Sequence, residues 1–300
     1  MNGEEGIGLR FDSSAVAMDP ILQGARVELP AIGKAEGYSE VAIDAARKAW
    51  EDRTRSEYVG VMIVHHFHGL LVDLNAPMDL QEVALTMLKQ EQEHAALCMT
   101  AARSLGSDGE VVFDMEELQL MRSSSPLEDQ LMGMLVGTYA VGEVVAHRLL
   151  RHAIRALPAN PYQDILKRIY KDEVLHAHIG PLVINSIRIA EEPRWLPYRG
   201  DQHLASEFTK FIRSMRARDV VEEEEIALFE DESLRKELIE LGVPPSIPFR
   251  NAYFESLNTD VRKSVTKSGL NPDDHPALAQ ALVGDGGQDT AHGTHSCEGS

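Results

Sequence analysis

Cysteine is nearly absent. Cys98 and Cys297 are the only two in 300 residues, so neither a disulfide framework nor a thiolate metal site organises this chain. Aromatic residues make up 6%, and Ala, Leu, Val and Glu are abundant instead, which favours helix over sheet. Basic residues are outnumbered, 29 Lys and Arg against 48 Asp and Glu, and the net charge of −19 speaks against nucleic acid or an anionic membrane as partner. Much of that charge, as in the run Glu222 to Glu225, reads as a solvated helix face. No apolar run is long enough to span a bilayer, and the opening ten residues are acidic and glycine-rich rather than a basic-then-apolar leader. A soluble cytoplasmic protein is the expectation.

What is present is helical periodicity broken at a few defined places. Residues 1–36 mix Gly, Pro and short apolar pieces and read as an arm. A first helix is expected from about Ser39 to Leu71, ending at the turn Asp73 to Pro77. A second should start at Asp79, with Glu82 as capping partner, and end near Gly106. Ser125 as N-cap, Pro126 as first helical residue and Glu128 would open a third, which Pro158 and Pro161 end. Asn160 and Pro161 can cap and start a fourth through Ile189, bent at Gly180-Pro181. The fold class expected is all-α: residues 37–191 form a four-helix bundle, 192–270 add helices that cap it or mediate a homodimer, and 271–300 form a disordered tail.

Two Glu-x-x-His motifs occur, Glu91 with His94 and Glu173 with His176. Residues three apart share a helix face, so each pair can offer a carboxylate and an imidazole to one ion. About one such spacing is expected by chance in a Glu-rich chain, so the motif alone is weak. Position changes that. Each motif lies on the second helix of an expected antiparallel pair, and a Glu faces it from the first. Glu57 and Glu91 are equidistant from Leu74, inside the first turn; Glu143 and Glu173 are equidistant from Pro158, in the second. Both pairs then sit roughly 22–25 Å from their turns at 1.5 Å per residue. All six side chains can meet at one level, on otherwise apolar stripes. Four buried carboxylates without partners would be costly, and two divalent cations balance them. Oxygen and imidazole donors suit iron or manganese.

A Glu on each of two helices plus Glu-x-x-His on each of the other two resembles the ferritin-like di-iron or di-manganese carboxylate proteins. The stretches Ala49-Trp50, Arg53, Ser56-Glu57 and Ile169 to Glu173 are similar to a bacterial ferritin-like group without a firmly assigned reaction. The resemblance covers about half of the chain. It implies that Glu57, Glu91 and His94 hold one iron and Glu143, Glu173 and His176 the other, with one or two glutamates bridging. It further implies an O2-dependent oxidation of a small organic substrate, with electrons from a separate ferredoxin or reductase. Manganese or a mixed Mn/Fe pair, a di-manganese catalase or peroxidase, and a non-catalytic iron-binding or storage protein are the alternatives. Departures are the missing Cys-x-x-Cys module, Gln90 where Asp172 stands in the second motif, and no Arg before either motif histidine.

Three neighbours have a sharp and a bland reading. His147, four residues after Glu143, is a third imidazole ligand or a core histidine. Asp172 orients a ligating histidine or faces solvent. Tyr139, one turn before Glu143, bonds a ligand or simply packs. Glu51 and Glu93 break the height matching and rank below Glu57 and Glu91. His65, His66 and His68 sit too far along the first helix to join, Cys98 reads as a small core residue, and His292, His295 and Cys297 belong to the tail.

Overall fold

The computed structural model describes residues 7–9, 28–109, 111–113, 123–191 and 194–284, which are almost wholly helical. Helix α1 (Glu40–Asp73) begins where Ser39 accepts the Ala42 N–H, and it returns through a turn in which Asn75 takes φ +50°, a conformation asparagine tolerates. Helix α2 (Met78–Ser104) packs along it as an antiparallel hairpin. Its start departs from the sequence reading: Pro77 stands at the cap position with no side-chain cap, and the Asp79 carboxylate accepts its neighbour's N–H instead.

The third helical run comprises α3 (Leu127–Met134), a π-helical stretch (Leu135–Gly142) and α4 (Glu143–Ala156). Its N-terminus also corrects the expectation. Pro126, not Ser125, occupies the cap, and no side chain caps it. The π stretch is the larger correction to a run read as plain α-helix: the Glu143 N–H bonds the Thr138 carbonyl, five residues back. Helix α5 (Pro161–Ile189) starts as expected, with Asn160 accepting the Gln163 N–H at 2.9 Å and Pro161 in the first turn, and continues through Pro181.

Close packing holds the π stretch in place. A Cβ on Gly180 would lie 2.6 Å from the Ala140 backbone nitrogen and 2.7 Å from the Leu135 carbonyl, so only glycine lets α5 approach this near. From the other side, the Ser264 hydroxyl donates to the Ala140 carbonyl at 2.6 Å.

The apolar residues separate into two cores. One unites Ala42, Trp50, Leu97, Leu105, Ala153, Leu157 and Ile165 near the two hairpin ends that hold the start of α1 and of α5. The other unites Phe67, Leu71, Met87, Leu135, Ile184 and Ile187 with the C-terminal helices. Each of the four long runs carries its Glu or Glu-x-x-His between these cores.

The remaining helices are α6 (Asp201–Arg216), α7 (Glu223–Ala227), α8 (Glu232–Glu240), α9 (Ser246–Lys267) and α10 (Pro276–Val283). Helix α8 covers the first core, where the Trp50 indole donates to the Leu241 carbonyl at 3.0 Å. Helices α6, α9 and α10 cover the second, and α9 lies along α4. The expected disordered tail is therefore corrected at its start: Leu278, Ala281 and Leu282 are buried, because the short run Pro276 to Val283 has enough apolar residues on one face to dock as α10. The rest of that tail, most of the expected N-terminal arm and most of the 107–124 connection lie outside the described residues. Ile7–Gly8 pair antiparallel with Val112–Phe113 as a two-stranded ribbon. Among the described residues no helix is long and apolar enough to cross a membrane.

Candidate metal centre

Between the two cores the structure brings together all six expected side chains. They form two groups, Glu57, Glu91, His94 and Glu173 in one and Glu91, Glu143 and His176 in the other, each with its donor atoms within 4.8 Å of one another. Either group could hold a metal ion. Both histidines are fully buried, and Glu91 and Glu173 are 4% and 6% exposed.

The geometry singles out the glutamates that lie between the two histidines, which the sequence left open. Glu91 turns Oε2 toward His94 Nδ1 (3.8 Å) and Oε1 toward His176 Nδ1 (3.0 Å). Glu173 does the same with its two oxygens, at 3.3 Å from His94 and 3.4 Å from His176. These two carboxylates, one from each motif, thus lie against both histidines, and Glu91 belongs to both groups. Glu57 reaches only the His94 side, at 3.5 Å, and Glu143 belongs only to the His176 side. The cause is helix geometry: the two motif helices are neighbours, so each motif Glu faces the other motif's histidine as closely as its own.

The outward ring nitrogens are also held. His94 Nε2 lies 3.4 Å from Asp172 Oδ2, and His176 Nε2 lies 3.1 Å from Gln90 Oε1. The residue just before each motif Glu therefore orients the opposite motif's histidine. With Nε2–H donating outward, each Nδ1 presents its lone pair to the cluster. The arrangement is unequal, since one ring meets a carboxylate and the other an amide. Gln90, a mere departure from pattern in the sequence, has this definite place; its position, matching that of Asp172, was the signal.

Donor chemistry and vacant valences fit a cation. His94 Nδ1, His176 Nδ1 and Glu173 Oε2 are buried without a hydrogen-bond partner, despite oxygens nearby. Buried polar atoms are rarely left so. Donor atoms about 2.0–2.2 Å from one ion and at right angles would lie about 3 Å apart, close to the spacings seen. No Lys or Arg pairs with any of the four carboxylates among the described residues, whereas the rejected alternative Glu93 pairs with Arg168. The ionisation equilibria carry the same strain. Burial, with Glu173, Glu91 and Glu57 adding to it, raises the Glu143 carboxyl well above its usual range, and burial likewise raises Glu57. Burial opposes charge on His94 and His176, but the surrounding carboxylates, Asp172 foremost for His94 and Glu91 for His176, raise both. Without metal, protons must supply the missing positive charge.

Gly60 is a functional position that the sequence reading passed over. A Cβ there would lie 2.5 Å from Glu91 Oε2 and 2.7 Å from Cδ. A glycine inside a long helix costs about 1 kcal/mol relative to Ala, and that cost was the available clue. Gly60→Ala is expected to push the Glu91 carboxylate aside and weaken metal binding by about 10–100-fold while leaving helicity intact. Competition against a calibrated chelator measures it; unchanged affinity would refute the role.

Tyr139 packs on Phe67 with ring centroids 4.6 Å apart, and its buried hydroxyl has no partner. Burial, with Glu143 and Glu91 nearby, raises that hydroxyl well above the usual tyrosine range. His147 joins neither group. Its ring stacks on Tyr170 at 4.6 Å, so the ligand reading of His147 finds no support. Cys98 is buried, and burial raises its thiol. The chain matches no family model, no curated protein and no solved structure.

Proposed function

We propose that this chain is a ferritin-like di-iron oxygenase or oxidase that uses O2 to oxidise a small organic substrate. The observation that carries the reading is the pair of orphaned imidazole nitrogens, each within 4 Å of both the Glu91 and the Glu173 carboxylate. Two Glu-x-x-His motifs meeting two single glutamates between antiparallel helical hairpins is the donor set of a ferritin-like four-helix bundle.

The residues divide the work. His94 and Glu57 would hold one iron and His176 and Glu143 the other, with Glu91 and Glu173 shared. Asp172 and Gln90 keep the rings in the tautomer that offers Nδ1 inward. The two apolar cores exclude water on either side, which strengthens every interaction within. When bound, the two irons supply O2 activation and the oxidising equivalents, chemistry that side chains lack. Electrons come from a separate ferredoxin or reductase.

The test is anaerobic loading with Fe2+ followed by one pulse of O2. Fast O2 uptake at about one O2 per two irons, with retention of iron and oxidation of a supplied substrate in the presence of a reductant, supports the reading. Preferential manganese retention with turnover of H2O2 would replace it by a di-manganese catalase or peroxidase. Iron uptake without product from any substrate would replace it by iron storage.

A further inference from the structure

A cavity of about 150 Å3 lies where α4, α5 and α9 meet. Its wall carries His147, Arg148, Arg151, His178, Lys263 and Lys267, with Asp260 as the one acid. In a chain of net charge −19 such a concentration of positive charge is out of character. Part of it is neutralised: Arg148 pairs with Glu255 and with Asp260 at 2.9 Å, and Lys263 lies 3.4 Å from Asp260. Arg151 and Lys267 form no ion pair among the described residues. Lys267 Nζ instead lies 3.4 Å from His178 Nε2, whose ring has its other nitrogen on the Val174 carbonyl at 2.7 Å. With Nδ1–H donating there, Nε2 accepts from Lys267, and the ammonium has no carboxylate partner among the described residues.

His147, on the same wall, adds no negative charge to offset these cations. Its Nε2 is shut off from solvent and has no hydrogen-bond partner, although the residue lines this cavity. Burial, and then Arg151 beside it, lowers its basicity, so it stands neutral. Two cations without an ion-pair partner among the described residues, on the wall of a small cavity, form an oxyanion site.

Location says which oxyanion. Val144 and Ala177, also in the wall, directly follow the site residues Glu143 and His176, and Glu173 lies near enough to His147 to influence its charge. A cavity of this volume admits about one benzene-sized molecule. We propose that it binds a small organic carboxylate, with Arg151 and Lys267 as counter-charges. Its role as the substrate site rests on the oxidase reading; the binding itself does not.

The test is calorimetric titration of the iron-loaded full chain with benzoate, butyrate, neutral benzamide and inorganic phosphate, with iron content measured on each sample. Saturable binding of a carboxylate, absent for benzamide and weakened about tenfold or more by Arg151→Ala and by Lys267→Ala, is expected. Lys48→Ala, elsewhere on the surface, should leave it unchanged. No saturable carboxylate binding up to about 20 mM, or equal affinity in the variants, would overturn the proposal. Binding of phosphate alone would overturn the carboxylate assignment. Carboxylate binding by a chain that takes up no iron would overturn the oxidase reading and leave the anion site standing.

Discussion

Glu91→Gln is expected to empty the centre. The substitution keeps the side chain's shape and removes its charge, so packing against Gly60 is preserved while the one carboxylate closest to His176 is lost. Metal content after loading and desalting should fall from about two ions per chain to below about half of one. Glu173→Gln should do the same, because Glu173 also lies against both histidines. Glu57→Gln and Glu143→Gln each remove a donor from one group only and should leave about one ion. This ranking says which glutamates are shared, where the sequence left open which one or two of them bridge. Equal losses across all four variants would contradict the geometry, and unchanged content in Glu91→Gln would refute the centre altogether. Circular dichroism of each variant shows that the loss is one of donors and not of fold.

Gly180→Ala should be strongly destabilising. The added Cβ meets backbone atoms of the π stretch at 2.6–2.7 Å, and backbone cannot rotate away as a flexible side chain would. Overpacking of this kind costs about 3 kcal/mol. For a chain of this size that corresponds to a fall in Tm of roughly 6–12 °C. The same displacement moves Glu143, which follows the π stretch directly, so the His176 side should lose metal affinity even below the melting transition. Gly69→Ala, where the added Cβ meets nothing within 4 Å, is the control and should be neutral or slightly stabilising. A Gly180→Ala protein as stable as the parent would show that α5 can retreat and that the contact is not a constraint.

How much of this was legible in the sequence follows from what each feature depends on. The helices around the centre were legible because hydrophobic period and chain-breakers are local: Ser39, Asn75, Asn160 and Pro161 mark ends that side-chain chemistry alone dictates. The convergence of the six side chains was legible too, since height in an antiparallel hairpin depends only on counting residues from its turn. The π stretch was not. Leu135–Gly142 reads as an ordinary apolar helix, and what widens it is contact with Gly180 and Ser264, 40 residues away or more. The same holds for α10, whose few apolar residues looked too sparse to fold until α6 and α9 gave them a surface to bury against.

The sequence by itself determined the all-helical class and the inventory of donors, because periodicity and residue type are properties of short segments. Only the tertiary structure decided which carboxylates are shared, that Asp172 and Gln90 reach across to the opposite motif's histidine, and that His147 faces a cationic cavity instead of the centre. Those choices depend on the distance and rotation between neighbouring helices, which are set by the summed packing of two cores and by single glycines such as Gly60 and Gly180, and no local pattern encodes them.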